Sequence, residues 1–162
     1  MIHHLSIAAE NPERAARVIA ALWRGEAYPF PPVAKGSWVA MAGDDRNTTI
    51  EVYPLGAELF PADGDADSVA LMSAEPRAHT PTHAAIASPL SQPEIEAIAA
   101  EHGWVTKYRK RGGIFGVIEL WIEDSVLLEV LTDEMQEEYV TRATPAALRA
   151  MFAAGGPPKA AA

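Results

Sequence analysis

Two histidines and two glutamates of this 162-residue chain have the types and the spacing to share one piece of chemistry. His4 opens the apolar stretch HLSIAAE and His83 opens THAAIAS, while Glu51 lies inside TIEVY and Glu129 inside LLEVL. The histidines are 79 residues apart and the glutamates 78. A carboxylate in the middle of an apolar strand is costly to bury unless it is paired or bound. Two carboxylates can neutralise a divalent cation, and two neutral imidazoles can complete its coordination with room left for water or substrate. The four residues therefore form a candidate metal centre. The chain has no cysteine. That removes disulfides, thiolate zinc sites and a cysteine nucleophile together, and leaves His, Asp and Glu as ligands for a borderline or hard divalent ion.

The elements that must position these residues repeat as well. Alternate side chains of a strand share a face. Leu5 and Ile7 then point towards a core, taking His3 with them, and His4, Ser6 and Ala8 take the other face. Ala84 and Ile86 likewise pack inward, which leaves His83 with Ala85 and Ala87. Glu51 shares a face with Thr49 and Tyr53, and Glu129 with Leu127 and Leu131. Small residues beside each histidine leave room for a ligand.

An amphipathic helix follows each histidine strand. Asn11-Pro12 fits an N-cap with proline at the first helical position, and Ser91-Gln92-Pro93-Glu94 has capping-box spacing. Ala15, Val18, Ile19 and Leu22 form an apolar stripe that Ile95, Ile98, Ala99 and His102 repeat at an offset of 80. Strand-type sequence comes next in both halves: AYPFPPVAKG (an edge strand or loop, because of its prolines), SWVAMAG and TTIEVYP in the first, WVTKYRK, IFGVIELWIE and VLLEVLT in the second. Asp44 to Asn47, Gly112-Gly113 and Asp124-Ser125 supply turns. Each half thus reads β-α-β-β-β. One domain is expected: module 1 over about 2–55, an Ala/Asp/Pro-rich connector with little regular structure over about 56–80, module 2 over about 81–132, and a C-terminal helical extension over about 133–155 in which Thr144-Pro145 starts a helix. The closing GGPPKAAA reads as a frayed tail.

The other candidates have plainer readings. His3, His79 and His102 read as surface, loop and helix-end residues. Glu119 and Glu123 alternate with Ile118, Leu120 and Ile122 and read as the solvated face of their strand, although a turn at 123–125 would set Glu119 opposite Glu129. The basic run from Lys107 to Arg111 reads as a solvated hairpin end, with an anion clamp for a carboxylate or phosphate as the sharper reading. Tyr53 and Trp38 are core aromatics or pocket walls. The formal net charge of -9 argues against nucleic acid and against an anionic membrane as partners. No run is long enough to span a bilayer. The first residues lack the basic and apolar regions of a signal peptide, so a cytoplasmic protein is expected to start here.

Across residues 2 to 132 the chain resembles the vicinal oxygen chelate superfamily, which includes glyoxalase I, bleomycin-resistance proteins, extradiol dioxygenases and fosfomycin-resistance enzymes. The resemblance rests on HLSIAAENPERAARVIAALW, TIEVYP, THAAIAS and VIELWIEDSVLLEVLT. LWRGE after the first helix and the short Glu123-Asp124-Ser125 turn depart from the usual family sequences, and no glutathione-binding set is recognisable. The resemblance implies an α+β fold in which two βαβββ modules form curled mixed sheets around a central cavity, with helices outside. It implies metal ligands at His4, Glu51, His83 and Glu129, a divalent ion (Zn, Ni, Co, Mn or Fe) and a small oxygenated substrate. It further implies lyase or isomerase chemistry through an enolate-like anion, with Glu129, or alternatively Glu51, as the base. Two other activities fit the same resemblance: a non-catalytic small-molecule or antibiotic binding protein of the bleomycin-resistance type, and an extradiol-type dioxygenase using His4, His83 and Glu129. Pairing of two copies into a homodimer is common among such proteins.

Overall fold

A computed structural model describes residues 2–30, 34–64, 67–77 and 79–154. Module 1 consists of β1 (His4–Ala9), α1 (Pro12–Trp23), β2 (Glu26–Pro29), β3 (Trp38–Met41) and β4 (Thr49–Pro54). The connector forms β5 (Ala57–Phe60) and β6 (Val69–Met72). Module 2 consists of β7 (Ala84–Ala87), α2 (Gln92–Glu101), β8 (Val105–Arg111), β9 (Phe115–Ile122) and β10 (Val126–Leu131), and α3 (Asp133–Arg142) and α4 (Pro145–Ala153) close the described chain. The module sheets have the same order, β1-β4-β3-β2 and β7-β10-β9-β8. In each, the first and last strands pair in parallel and the rest antiparallel.

The repeat extends to register. Ser6 lies opposite Glu51 and Ala85 opposite Glu129, so each histidine stands two residues before the partner of its module's glutamate. On the glutamate's other side the modules diverge, with Val39 opposite Glu51 and Glu119 opposite Glu129. β2, which ends at Pro29, is the edge strand of its sheet, the place where a strand tolerates proline. The strand or loop expected over Pro31 to Val33 lies outside the described residues, as does the frayed tail expected from Gly155 onward.

Local chemistry sets the helix starts. The Asn11 Oδ1 accepts from the Arg14 N–H at 3.0 Å. Glu94 folds back to accept from the Ser91 N–H at 2.8 Å, and the Ser91 hydroxyl holds its carboxyl below the ordinary value. Thr144 accepts from the Ala147 N–H at 3.1 Å. The inward strand residues Ile7, Ile50, Val52, Ile86, Leu128 and Val130 meet Val18, Ile19, Leu22, Ile95 and Ala99 of the helices in one core shared by both modules. Gly25 lets the chain leave α1 close to β3, because a Cβ there would stand 2.0 Å from the Met41 carbonyl oxygen.

Four sequence expectations need correction. The connector is partly regular, since β5 and β6 pair antiparallel, and its Ala57-Glu58-Leu59-Phe60 alternation was masked by the surrounding Asp and Pro. His3 is exposed, with Nδ1 3.1 Å from the Arg46 carbonyl oxygen, which agrees with its reading as a surface residue and corrects the inward face that strand alternation assigned it. Glu119 is not solvated: only 13% of its side chain is exposed, against Arg111. Glu123 is a deeper exception at 4%. Its carboxylate accepts from the N–H groups of Glu10 at 2.5 Å and Asn11 at 3.1 Å and from Arg14 at 2.6 Å. The β9–β10 turn of module 2 thus grips the N-terminus of α1, where the helix dipole favours an anion. A second tie across the modules is the Ser88 hydroxyl, which donates to the Leu22 carbonyl oxygen at 2.5 Å.

Candidate functional site

In module 1, β1 and β4 bring three polar side chains together on the face away from the helices. The Ser6 hydroxyl donates to Glu51 Oε2 at 2.9 Å and the Tyr53 hydroxyl donates to the same oxygen at 2.8 Å. Two donors on one oxygen satisfy a half-buried carboxylate without a counter-charge. Burial first, and then the bond to Glu51, push the Tyr53 hydroxyl up to about 12. A group with a raised folded-state value stabilises the protein in its protonated form. The Tyr53 contribution is therefore complete below pH 10.0, the ordinary value, and is lost as pH rises towards 12. Alkaline difference absorbance of the protein against Tyr53→Phe should show one phenol ionising near 12; a midpoint at the ordinary value would disprove the coupling.

His4 is exposed at the start of β1, opposite Thr49. With Tyr28, Val39, Met41 and Glu51 it lines an open hollow of about 410 Å³. Along the same two strands in the other direction lies a second cavity, of about 240 Å³, bounded by Ser6, Ala8, Tyr53, Leu55, Arg77 and Thr82, with Val126 on the module 2 side.

In module 2 the corresponding glutamate is already engaged. Glu129 is 8% exposed, and its Oε1 accepts from Arg111 Nε at 2.7 Å and again from the Nη2 of the same guanidinium. Arg111 also lies 2.9 Å from Glu119, whose other neighbour is Arg109 at 3.9 Å. Burial works against the charge of Arg111, yet Glu129 and Glu119 outweigh it and raise its value further. The basic run is therefore in part an internal counter-ion, and Lys110 pairs with Glu138 at 2.6 Å. Sequence reasoning missed this role for Arg111. The register sets Lys107 opposite Glu119 and Arg111 opposite Phe115, so strand pairing alone does not single out Arg111.

His83 precedes β7 and is exposed, with Nδ1 2.9 Å from the Pro81 carbonyl oxygen. In the tautomer that donates there, Nε2 carries the lone pair. Among the described residues no group of three or more His, Asp or Glu side chains is gathered to hold a metal ion. The four donors are of suitable type for a divalent ion. At Glu129 a guanidinium already holds Oε1 and supplies the positive charge beside it, which disfavours a second cation there.

Paired βαβββ modules with this order and register define the class: the chain has the vicinal oxygen chelate fold. Among solved structures it is similar to the trypanothione-dependent glyoxalase I of Leishmania major, at 14% identity over 87% of this chain and 92% of that one, with a TM-score of 0.50. It is also similar to the fosfomycin resistance protein FosX of Mesorhizobium loti, at 13% identity over 85% of this chain and 94% of that one, with a TM-score of 0.48. Oxidase ChaP-H1 shares 16% identity over 82% of this chain and 94% of that chain, with a TM-score of 0.45. At these identities the likeness is one of fold. No family model and no curated protein matches the sequence. Among the described residues no helix is long and apolar enough to cross a membrane.

Proposed function

We propose that this protein binds a small organic molecule through its own side chains, in the cavity beside the Ser6–Glu51–Tyr53 network, without a metal at Glu129. One observation carries the reading. The carboxylate that would anchor a metal in module 2 is held by Arg111 through both Nε and Nη2, while the equivalent carboxylate in module 1 is held by two hydroxyls beside an open cavity. At about 240 Å³ the space is below the range of about 300–1,000 Å³ common for drug-sized ligands, which favours a compact metabolite or a part of a larger molecule. This is the binding-protein alternative that the resemblance allows.

A second reading keeps the metal-dependent lyase or isomerase. It is favoured by the shared register of the two modules and by the exposed ring of His83. There His4, Glu51, His83 and Glu129 would hold the ion, and the metal would supply Lewis-acid stabilisation of an enolate-like anion. Glu129 or Glu51 would accept the proton, and Glu129 would have to leave Arg111 first.

Metal analysis of protein purified without chelators separates the two. The expected result is substoichiometric metal that does not change in His83→Ala or Glu129→Ala. Stoichiometric metal that disappears in both variants would establish the second reading instead.

A further inference from the structure

The cavity beside Ser6 and Tyr53 has a polarity that specifies more than size, given the proposed binding role on which this inference rests. The chain carries 22 acidic side chains and a net charge of -9, yet among the described residues no Asp or Glu lines this cavity, whereas Arg77 does. Four other hollows each have at least one acidic side chain in the wall. Among the described residues Arg77 has no ion-pair partner, in contrast to Arg14, Arg17, Arg24, Arg109 and Arg111.

The hydroxyls divide into two sets. Ser6 and Tyr53 spend their protons on Glu51 and so offer only lone pairs to a ligand. The Thr80 hydroxyl accepts from the Thr82 N–H at 3.3 Å, which leaves its own proton to give, and Thr82 also faces the cavity. One part of the wall is therefore cationic and donating and another is accepting. Ala8, Leu55, Ala57 and Val126 supply apolar surface in the same wall.

We infer that the cavity selects a small organic anion, a carboxylate or a phosphate-type group bound by Arg77 and the threonines, on an apolar body that carries a hydroxyl or ammonium donor for Ser6 and Tyr53. A charge-assisted bond to a guanidinium contributes about 1.5–3 kcal/mol, roughly ten- to a hundredfold in affinity.

The test is titration of the full chain, by calorimetry and by NMR, with para-hydroxybenzoate, its uncharged amide, benzoate and para-hydroxyphenylphosphonate. The acid should bind at least about tenfold more tightly than the amide. Arg77→Ala should erase that difference, and Arg77→Lys should restore part of it. Tyr53→Phe should weaken para-hydroxybenzoate more than benzoate. Whichever of the carboxylate and phosphonate binds tighter identifies the head group. Ala8→Leu, which fills the cavity, should abolish binding of both. Equal binding of acid and amide, lost in Ala8→Leu, would overturn the anion inference and leave the cavity reading standing. Binding that survives Ala8→Leu, or no saturable binding of any of these probes, would overturn both.

Discussion

Glu123→Ala should lower folding stability by about 2–4 kcal/mol, a large loss for a single glutamate on a hairpin turn. The carboxylate is 4% exposed and meets the Glu10 and Asn11 N–H groups and the Arg14 guanidinium. Truncation leaves two amide donors at the start of α1 without their acceptor. It also strips Arg14, whose Nε is already buried without a partner, of its counter-charge. Arg14 itself is 40% exposed, which lets water recover part of the cost and keeps the estimate below that for a fully buried pair. Glu123 and Asp124 both have positive φ, 51° and 53°, so turn strain is a competing explanation. Glu123→Gly separates the two: glycine relaxes the turn but cannot restore the contacts, and it should remain clearly destabilised. Glu123→Gln, which keeps an acceptor, should lose less than alanine. Urea unfolding midpoints decide the matter, with the exposed Glu58→Ala as the control expected within about 0.5 kcal/mol of the parent. An alanine variant as stable as that control would mean that the modules do not depend on this contact.

The contrast between Glu123 and Glu129 marks what was legible in the chain. Glu129 could be singled out because it interrupts an apolar alternation, and a charge among buried neighbours is visible in any window of a few residues. Glu123 follows Ile122 at a strand end, where a charge is ordinary, and its partners are 112 and 113 residues away. Nothing local distinguishes it. The modules, their caps and their turns were legible because each depends on short-range pattern: Asn11-Pro12, Ser91 to Glu94, Asp44 to Asn47. The register equivalence of His4 with His83 and of Glu51 with Glu129 followed from strand parity and the repeat offset. Pairing preference between charges was not legible. The same sequence shows two carboxylates that could share a metal and four basic residues on β8, and only the folded sheet brings Arg111 to Glu129 and Glu119. His83 shows the same limit, since its face was predictable but its ring contact with Pro81 comes from a loop conformation. The cavity by Arg77 was also invisible, because part of its wall comes from a connector whose composition resembles that of an unstructured linker.

Arg111→Ala should expose what that guanidinium does. Glu119 and Glu129 lie directly opposite each other on adjacent strands, with side chains 13% and 11% exposed, and like charges so placed repel. Arg111 bridges both with its one positive charge. Its side chain is 36% exposed, so the loss at neutral pH is set at about 2–4 kcal/mol, below the upper range for removing one partner of a fully buried pair. Arg111→Lys should recover only part of the loss, since an ammonium is a point charge and cannot fork between two carboxylates. Glu119→Gln in the Arg111→Ala background should recover stability by removing one charge of the pair. The same vacated carboxylates should then accept a divalent ion: nickel or zinc should raise the melting temperature of Arg111→Ala and leave the parent unchanged. That outcome would identify Arg111 as the resident cation of module 2 and explain how a face with two paired glutamates is stable without a metal. A parent protein that nickel or zinc stabilises as strongly as the variant would instead show that a metal can displace the guanidinium, and would return Glu129 to the role its position in the repeat first suggested.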